Sequence, residues 1–326
     1  MRDEAVSVVI PVRNREGLIG RCLDSVFAQT WRPLEVIVVD NGSTDNTAGR
    51  IREWADSHVS EDFKLTLLHE PQSGAARARQ RGFEAVTSDK LIFFDSDDEM
   101  LPLLIEQRMA EFSYHPDTDM VYGRSYYSRE DGSESKAKYP KGKLFSDHIY
   151  HAVFCTPSYL VKRDFFEKAG GWNRNLRVWD DWELGLRILL ANPKVIVTNH
   201  IQTRINCQTE SITGTDFHSK AGEWERAIAA CEHAVENSFK DMNGNGKDNG
   251  VDKRRLLLML NYRRAILAAH YRREHHPELA ASLLKQALAS PLLSLLSRQW
   301  LRILYHYTAL GGRGASRLWL NPDVTL

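Results

Sequence analysis

The chain has 326 residues, enough for one large domain with an appendage or for two domains. Its 43 basic and 43 acidic residues cancel, so no global field draws it to nucleic acid. Four widely spaced cysteines (Cys22, Cys155, Cys207, Cys231) include no C-x-x-C, which argues against a disulfide scaffold or a zinc site and for a reduced cytosolic protein. Behind Met1-Arg2-Asp3-Glu4 the apolar run is too short, and too acidic in front, for a signal peptide. No stretch approaches the ~20 apolar residues that span a bilayer. A soluble cytoplasmic protein is expected.

Apolar runs rich in β-branched or aromatic residues at 5–10, 34–39, 64–69 and 90–94 predict strands, with helices near 16–29, 45–57 and 74–86 between them. That alternation implies right-handed βαβ units and a mostly parallel sheet. A further helix is expected over 101–113 and a strand over 119–127, whereas residues 128–147, rich in Lys, Ser, Gly and Asp, suggest a mobile surface loop. Then come a strand at 158–161, a short helix at 163–169, the Gly170-Gly171 pair and a helix near 181–191. Beyond these the pattern is helical without strands, over 217–239, 251–273 and 277–289, followed by an apolar but basic tail. We expect an α/β domain over residues 1–215 and an all-helical extension over 216–326.

Two of the strand-like runs end in acids: Val36-Ile37-Val38-Val39-Asp40-Asn41-Gly42-Ser43-Thr44-Asp45 and Leu91-Ile92-Phe93-Phe94-Asp95-Ser96-Asp97-Asp98. Open α/β sheets bind ligands at the carboxyl ends of their strands. Clustered acids there are unfavourable unless a cation or a donor-rich ligand neutralises them. A nucleotide, a divalent metal, or both is the implied ligand.

In order, Ser7-Val8-Val9-Ile10-Pro11-Val12-Arg13-Asn14, then Glu35 through Asp45, then Asp95-Ser96-Asp97-Asp98 resemble family 2 glycosyltransferases of the GT-A fold, over roughly residues 5–210. The resemblance implies a Rossmann-like, mostly parallel twisted sheet flanked by helices, with a nucleotide-sugar half over about 1–98 and an acceptor half over about 99–215. It implies metal-dependent, inverting transfer of a sugar from a nucleoside-diphosphate sugar to a hydroxyl of a glycan or lipid-linked glycan, in cell-surface polysaccharide synthesis. Mn²⁺ or Mg²⁺ is the implied metal, and the Asp95-Ser96-Asp97 string supplies the oxygen ligands that a hard cation wants. Asp95 would lie near the ribose and Asp97 would hold the metal, with Asp95 beside it. Asp40 would accept from the base, with Pro11 and Asn14 on the same nucleotide wall; Arg13 stands where the family often has an aromatic or small residue.

Gly74-Ala75-Ala76-Arg77-Ala78-Arg79-Gln80-Arg81-Gly82 resembles the family's glycine-plus-ARNxG segment, with Gln80 in place of Asn. Small residues from Gly74 let a helix start approach an anion, and Arg79 would meet the diphosphate while Arg77 and Arg81 stay solvated. Trp179-Asp180-Asp181-Trp182-Glu183 resembles the family's acidic pair opening a helix, which makes Asp181 the base and Asp180 its orienting or metal-supporting neighbour. Glu183 can pair with Arg187 at i, i+4. Trp172 and Trp179 suit either a sugar platform or the core. Arg204-Ile205-Asn206 replaces the family's Arg-x-His and leaves the third metal ligand open, with His200 six residues earlier.

Several features have two readings. Asp98 is equally suited to capping the following helix, and Asp45 and Thr44 favour capping over ligand contact. Residues 241–252 place Asp241, Asn243, Asn245, Gly246, Asn249 and Asp252 on calcium-loop positions, but Asp248 stands where an apolar residue belongs, and a flexible Asn/Gly linker explains the same composition. The tail from Ala289 to Trp319, with Arg298, Arg302, Arg313 and Arg317, fits either an anionic membrane surface or packing on the protein. An inactive nucleotide-sugar-binding subunit and a sugar-1-phosphate nucleotidyltransferase are the rival functions; the latter usually carries a Gly/Arg-rich loop where Pro11-Val12-Arg13-Asn14 stands.

Overall fold

The computed structural model describes residues 4–140, 142–207, 216–240, 247–248 and 251–312. The chain divides into two compact units, Met1–Gly142 with Val153–Thr209, and Lys143–Ala152 with Glu210–Leu326.

The first unit opens with β1 (Val6–Val12), α1 (Ile19–Phe27), β2 (Leu34–Asp40), α2 (Thr47–His58), β3 (Phe63–His69), α3 (Ala75–Phe83) and β4 (Lys90–Phe93). β5 (Glu99–Met100), α4 (Leu104–Tyr114), β6 (Met120–Ser128) and β7 (Glu134–Lys136) follow. After α5 (Leu144–His151), which belongs to the second unit, come β8 (Tyr159–Lys162), α6 (Arg163–Lys168), α7 (Asp180–Leu190) and β9 (Val195–Asn206). The sheet order is β3-β2-β1-β4-β8-β6-β9-β5, with β7 on β6. β1 to β4 are mutually parallel, and β6 and β9 share their direction because β8 runs antiparallel to both β4 and β6. The expected mostly parallel α/β sheet is therefore formed.

β1 is buried at every position, as a central strand covered on both faces must be, and its apolar run shows no alternation. β3 lies at the sheet edge, and its burial fluctuates along the strand. Val6, Val8 and Ile10 pack with Val36, Val38, Ile92 and the i, i+3, i+4, i+7 stripe Ile19, Cys22, Leu23 and Val26 of α1. On the opposite face Val9 and Val39 meet α3 at Gly82, where an added Cβ would lie 2.4 Å from Val9 Cγ1. The missing side chain is what lets α3 approach the sheet and hold Arg79 at its carboxyl edge. Gly82→Val is expected to lower stability by about 1–3 kcal/mol through overpacking, read as a lower urea midpoint at unchanged slope. An unshifted midpoint would refute that close-packing role.

Two stretches differ from expectation. The segment 128–147 is not simply a loop: β7 pairs with β6 through Tyr127 and Ser135, and α5 begins at Leu144. β9, twelve residues long and paired along β6, was not anticipated. Its seven β-branched residues are interrupted by Asn199-His200, and the β6/β9 register shifts beside them, between Tyr122 and Ser125.

The second unit contains α5, α8 (Glu223–Ser238), α9 (Lys253–Arg273), α10 (Pro277–Ala289) and α11 (Leu295–Ala309). It is not all-helical as expected, because Lys247–Asp248 pairs antiparallel with Val251–Asp252 just before α9. α9 is central: Tyr271 Oη donates to Glu225 of α8 at 2.8 Å and Asn261 Nδ2 donates to the Ala287 carbonyl of α10 at 2.8 Å. Asp252 caps α9 by accepting from Arg254 N at 2.9 Å, and Ser294 caps α11 through Ser297 N at 3.1 Å. Most of the candidate calcium loop (241–246 and 249–250), together with Arg313, Arg317 and Trp319, lies outside the described residues. Among the described residues no helix is long and apolar enough to cross a membrane.

Candidate functional site

From β1 the chain moves outward to β2 and β3, then returns to β4 on the other flank of β1. Such a reversal opens a crevice outside the carboxyl ends of the strands. The segments 13–15, 40–45 and 95–98 all follow the carboxyl ends of β1, β2 and β4, so the topology gathers the sequence motifs at this one edge.

At the β2 end Asp40 is buried. Its Oδ1 accepts from Ser43 N at 3.1 Å, and its Oδ2 lies 3.7 Å from His69 Nδ1. Asn41 takes Gly74 N at 2.8 Å on Oδ1 and donates through Nδ2 to the Glu70 and Gln72 carbonyls, so it fixes the entry to α3. Asn14 has φ 51°, and its Oδ1 accepts from Thr44 N at 2.8 Å; Arg13 donates to the Ser73 hydroxyl. Both side chains thus brace neighbouring loops. Pro11 is buried within β1, in register with Val39. Asp45 accepts from Thr47 N at 3.1 Å, but it lies one residue ahead of the N-cap of α2, which is Asn46.

In the acidic loop Asp95 has partners on both oxygens, Arg79 Nη2 at 2.7 Å on Oδ1 and Thr156 Oγ1 at 3.1 Å on Oδ2. Ser96 is buried. Asp97 makes a long contact with Arg15 Nη2 at 3.5 Å, and burial together with Asp95 raises its pKa. Asp98 does not cap α4, because its Oδ1 accepts from Asn206 N at 2.9 Å. Burial, then Asp95 and Asp97, push the Asp98 carboxyl well up. Asn206 Nδ2 donates to the Asp97 carbonyl at 2.9 Å and to Glu99 Oε1 at 3.2 Å, so this residue clasps the acidic loop to β9. His200 is exposed on β9.

Arg79 joins the two halves of the site. While Nη2 holds Asp95, Nη1 reaches Asp180 Oδ2 at 2.8 Å, and the guanidinium lies 4.8 Å from the Trp172 ring centroid. Both ends of this buried fork are thus committed to carboxylates. Arg77 bonds Gln72 instead, and Arg81 is exposed. Trp172 is core, edge-on to Phe93 at 5.1 Å. Trp179 stacks obliquely on Trp182 at 5.1 Å. Glu183 does pair with Arg187 at 2.8 Å, and Arg187 also donates to the Ala169 and Gly171 carbonyls, anchoring α7 to the glycine turn. Asp181 sits half-buried in the first turn of α7. Burial, then Asp180, push its pKa up to about 7 against the opposing pull of Arg79.

Around the acidic loop Asp95, Asp97, Asp98, Asp180 and Asp181 thus lie with the buried Arg79 and the partly exposed Arg15 and Arg21. The raised pKa values of three of them (Asp97, Asp98 and Asp181) reflect burial first and repulsion between the carboxylates second, and a bound cation would offset both. Among the described residues no three His, Cys, Asp or Glu side chains form a ready-made metal cage. The donor set instead suits a hard cation held by one or two carboxylates, the rest of its shell coming from ligand oxygens and water. Sequence reasoning missed Thr156, Asn41 and Arg15, because each acts by contacting a distant segment.

The family model described as Glycosyl transferase family 2 matches residues 7–170. Among curated proteins, glycosyltransferase GlyG of Streptococcus pneumoniae is 29% identical over 179 residues, 53% of this chain and 53% of its own length. A PGL/p-HBAD biosynthesis glycosyltransferase of Mycobacterium tuberculosis is 30% identical over 196 residues, 58% of this chain and 71% of that protein. Against GlyG the chain thus spans about half the length of the relative it matches. Among solved structures, S. aureus TarS 1–349 in complex with UDP-GlcNAc aligns with TM-score 0.70 at 16% identity, covering 96% of this chain and 89% of that one. The mannosyltransferase PcManGT from Pyrobaculum calidifontis, in complex with GDP-Man and Mn²⁺, aligns with TM-score 0.53 at 22% identity, covering 96% and 82%. These likenesses show the GT-A type of fold, and the match over residues 7–170 shows that the chain belongs to glycosyl transferase family 2.

Proposed function

We propose that the protein transfers a sugar, with inversion and metal dependence, from a nucleoside-diphosphate sugar to a hydroxyl of a glycan or lipid-linked glycan in cell-surface polysaccharide synthesis. The observation that carries this reading is the Arg79 bridge, which brings the Asp95-Ser96-Asp97 string and the Asp180-Asp181 pair into one site. Asp97, the acid of its string with the least engaged oxygens, would hold Mn²⁺ or Mg²⁺, with Asp95 beside it. When bound, the cation supplies charge neutralisation for the departing nucleoside diphosphate. Asp40 and Asp95 hold the nucleoside, and Gly74 presents the helix start of α3 toward the diphosphate. Asp181 takes the acceptor hydroxyl proton, for which a pKa near neutrality is well matched. The nucleotide-sugar complexes of TarS and PcManGT support the donor class.

A thermal-shift screen of nucleoside diphosphates, with and without Mn²⁺, tests the donor site. One nucleotide at 100-fold over its dissociation constant should stabilise the fold by about 2.7 kcal/mol, and only with metal present. Stabilisation by the nucleotide alone, undiminished by chelator, would reject the metal requirement. No response to any pair would reject the donor site.

A further inference from the structure

α11 buries one face, formed by Ser297, Leu301, Leu304, Tyr305 and Thr308, and leaves a second apolar line outside it. Leu296, Trp300, Ile303, Tyr307 and Leu310 follow one another at i, i+4, i+7, i+11 and i+14, the spacing of a single helical stripe. Leu296 is 51% exposed, Ile303 53% and Leu310 89%, with Trp300 half-buried among them, so the line presents an apolar surface to solvent. Within α11 itself the charged residues are Arg298 and Arg302, and there is no acid. No acidic residue occurs between Glu278 and Asp323, while Lys285, Arg298, Arg302, Arg313 and Arg317 all fall there.

We propose that α11 docks the protein on an anionic lipid surface, the stripe entering the headgroup boundary and the exposed Arg302 meeting lipid phosphates. Lipid is favoured over a second copy of the chain by this charge. An isologous contact would set an acid-free cationic helix against its own twin, with nothing to neutralise the arginines. An anionic bilayer supplies the opposite charge, and Trp300 and Tyr307 suit the amphipathic headgroup level. The inference is independent of the glycosyl-transfer reading, because no donor-site residue lies on α11.

Co-sedimentation of the full chain with vesicles of phosphatidylglycerol and phosphatidylcholine in equal parts tests it. At low salt, binding should exceed that to phosphatidylcholine alone by about tenfold and fall as salt is added. Ile303→Asp with Leu310→Asp should reduce binding by about tenfold or more, and Arg302→Gln alone by roughly fivefold. Circular dichroism and gel filtration of the same variants report helix content and oligomeric state; should the double variant misfold, Arg302→Gln and the salt dependence still decide. Absence of binding to the anionic vesicles, or binding indifferent to all three substitutions, would overturn the proposal. So would an oligomer that the double variant dissolves while vesicles are ignored, since that would assign the face to a second copy. The metal-dependent nucleotide shift should persist in these variants, so failure here is distinguishable from failure at the donor site.

Discussion

Asp181→Asn is expected to lower kcat by about 10²–10⁴-fold, the usual contribution of a positioned general base, while leaving donor affinity within about twofold. The substitution keeps the shape of the side chain and its place in the first turn of α7, so it removes proton acceptance without reshaping the site. Single-turnover assays with a defined acceptor, beside nucleotide titrations, separate the two effects. Near-normal turnover would exclude Asp181 as the base.

The same residue sets a pH dependence. Burial and the Asp180 charge raise its carboxyl to about 7, and the base must be deprotonated to act. Activity should therefore rise with pH through neutrality and level off above it. A profile flat between about pH 5 and 9 would show that no group of this kind limits the reaction. The sign for stability is opposite: a carboxyl whose folded pKa is raised binds protons more tightly folded than unfolded. Its contribution is most favourable in acid and declines as pH rises toward 7.

Much of this site was legible before the fold was known, for a local reason. Strands β1, β2 and β4 are short buried runs whose composition forbids other structure, and the acids follow at fixed offsets within a few residues of each strand end. In the second unit α8, α9 and α10 were legible through their periodicity, and α9 closely matches the range read from sequence, whereas α5 was read as part of a loop. What was not legible depends on long-range pairing. β9 is half exposed and interrupted, so nothing local marks it as a strand running beside β6. Thr156 reaches Asp95 across 61 positions and Asn206 reaches Asp97 across 109. Arg79 was expected to reach toward a diphosphate, because its motif places it at a helix start; its engagement with two carboxylates becomes visible only when α3 and α7 are brought together.

Arg79 is consequently the residue whose loss should damage the fold and the chemistry together. Its guanidinium is 10% exposed and bonds Asp95 and Asp180, themselves 27% and 14% exposed. Removing one partner of a buried ionic arrangement leaves the other charges uncompensated, which costs about 3–5 kcal/mol. Arg79→Met should fall in that range by urea denaturation at neutral pH, with a smaller deficit in acid, where the stranded carboxylates can take up protons. Arg79→Lys should rescue only part of the loss, since an ammonium cannot span two carboxylates as the planar fork does. Asp180→Asn in the Arg79→Met background should recover about 0.5–3 kcal/mol, because it removes one of the repelling charges. In the variant enzyme Asp181 loses the cation that draws its pKa down, so the pH–activity midpoint should move above 7. That alkaline displacement separates an electrostatic strut from a packing residue: a variant that is merely less stable would keep the wild-type midpoint.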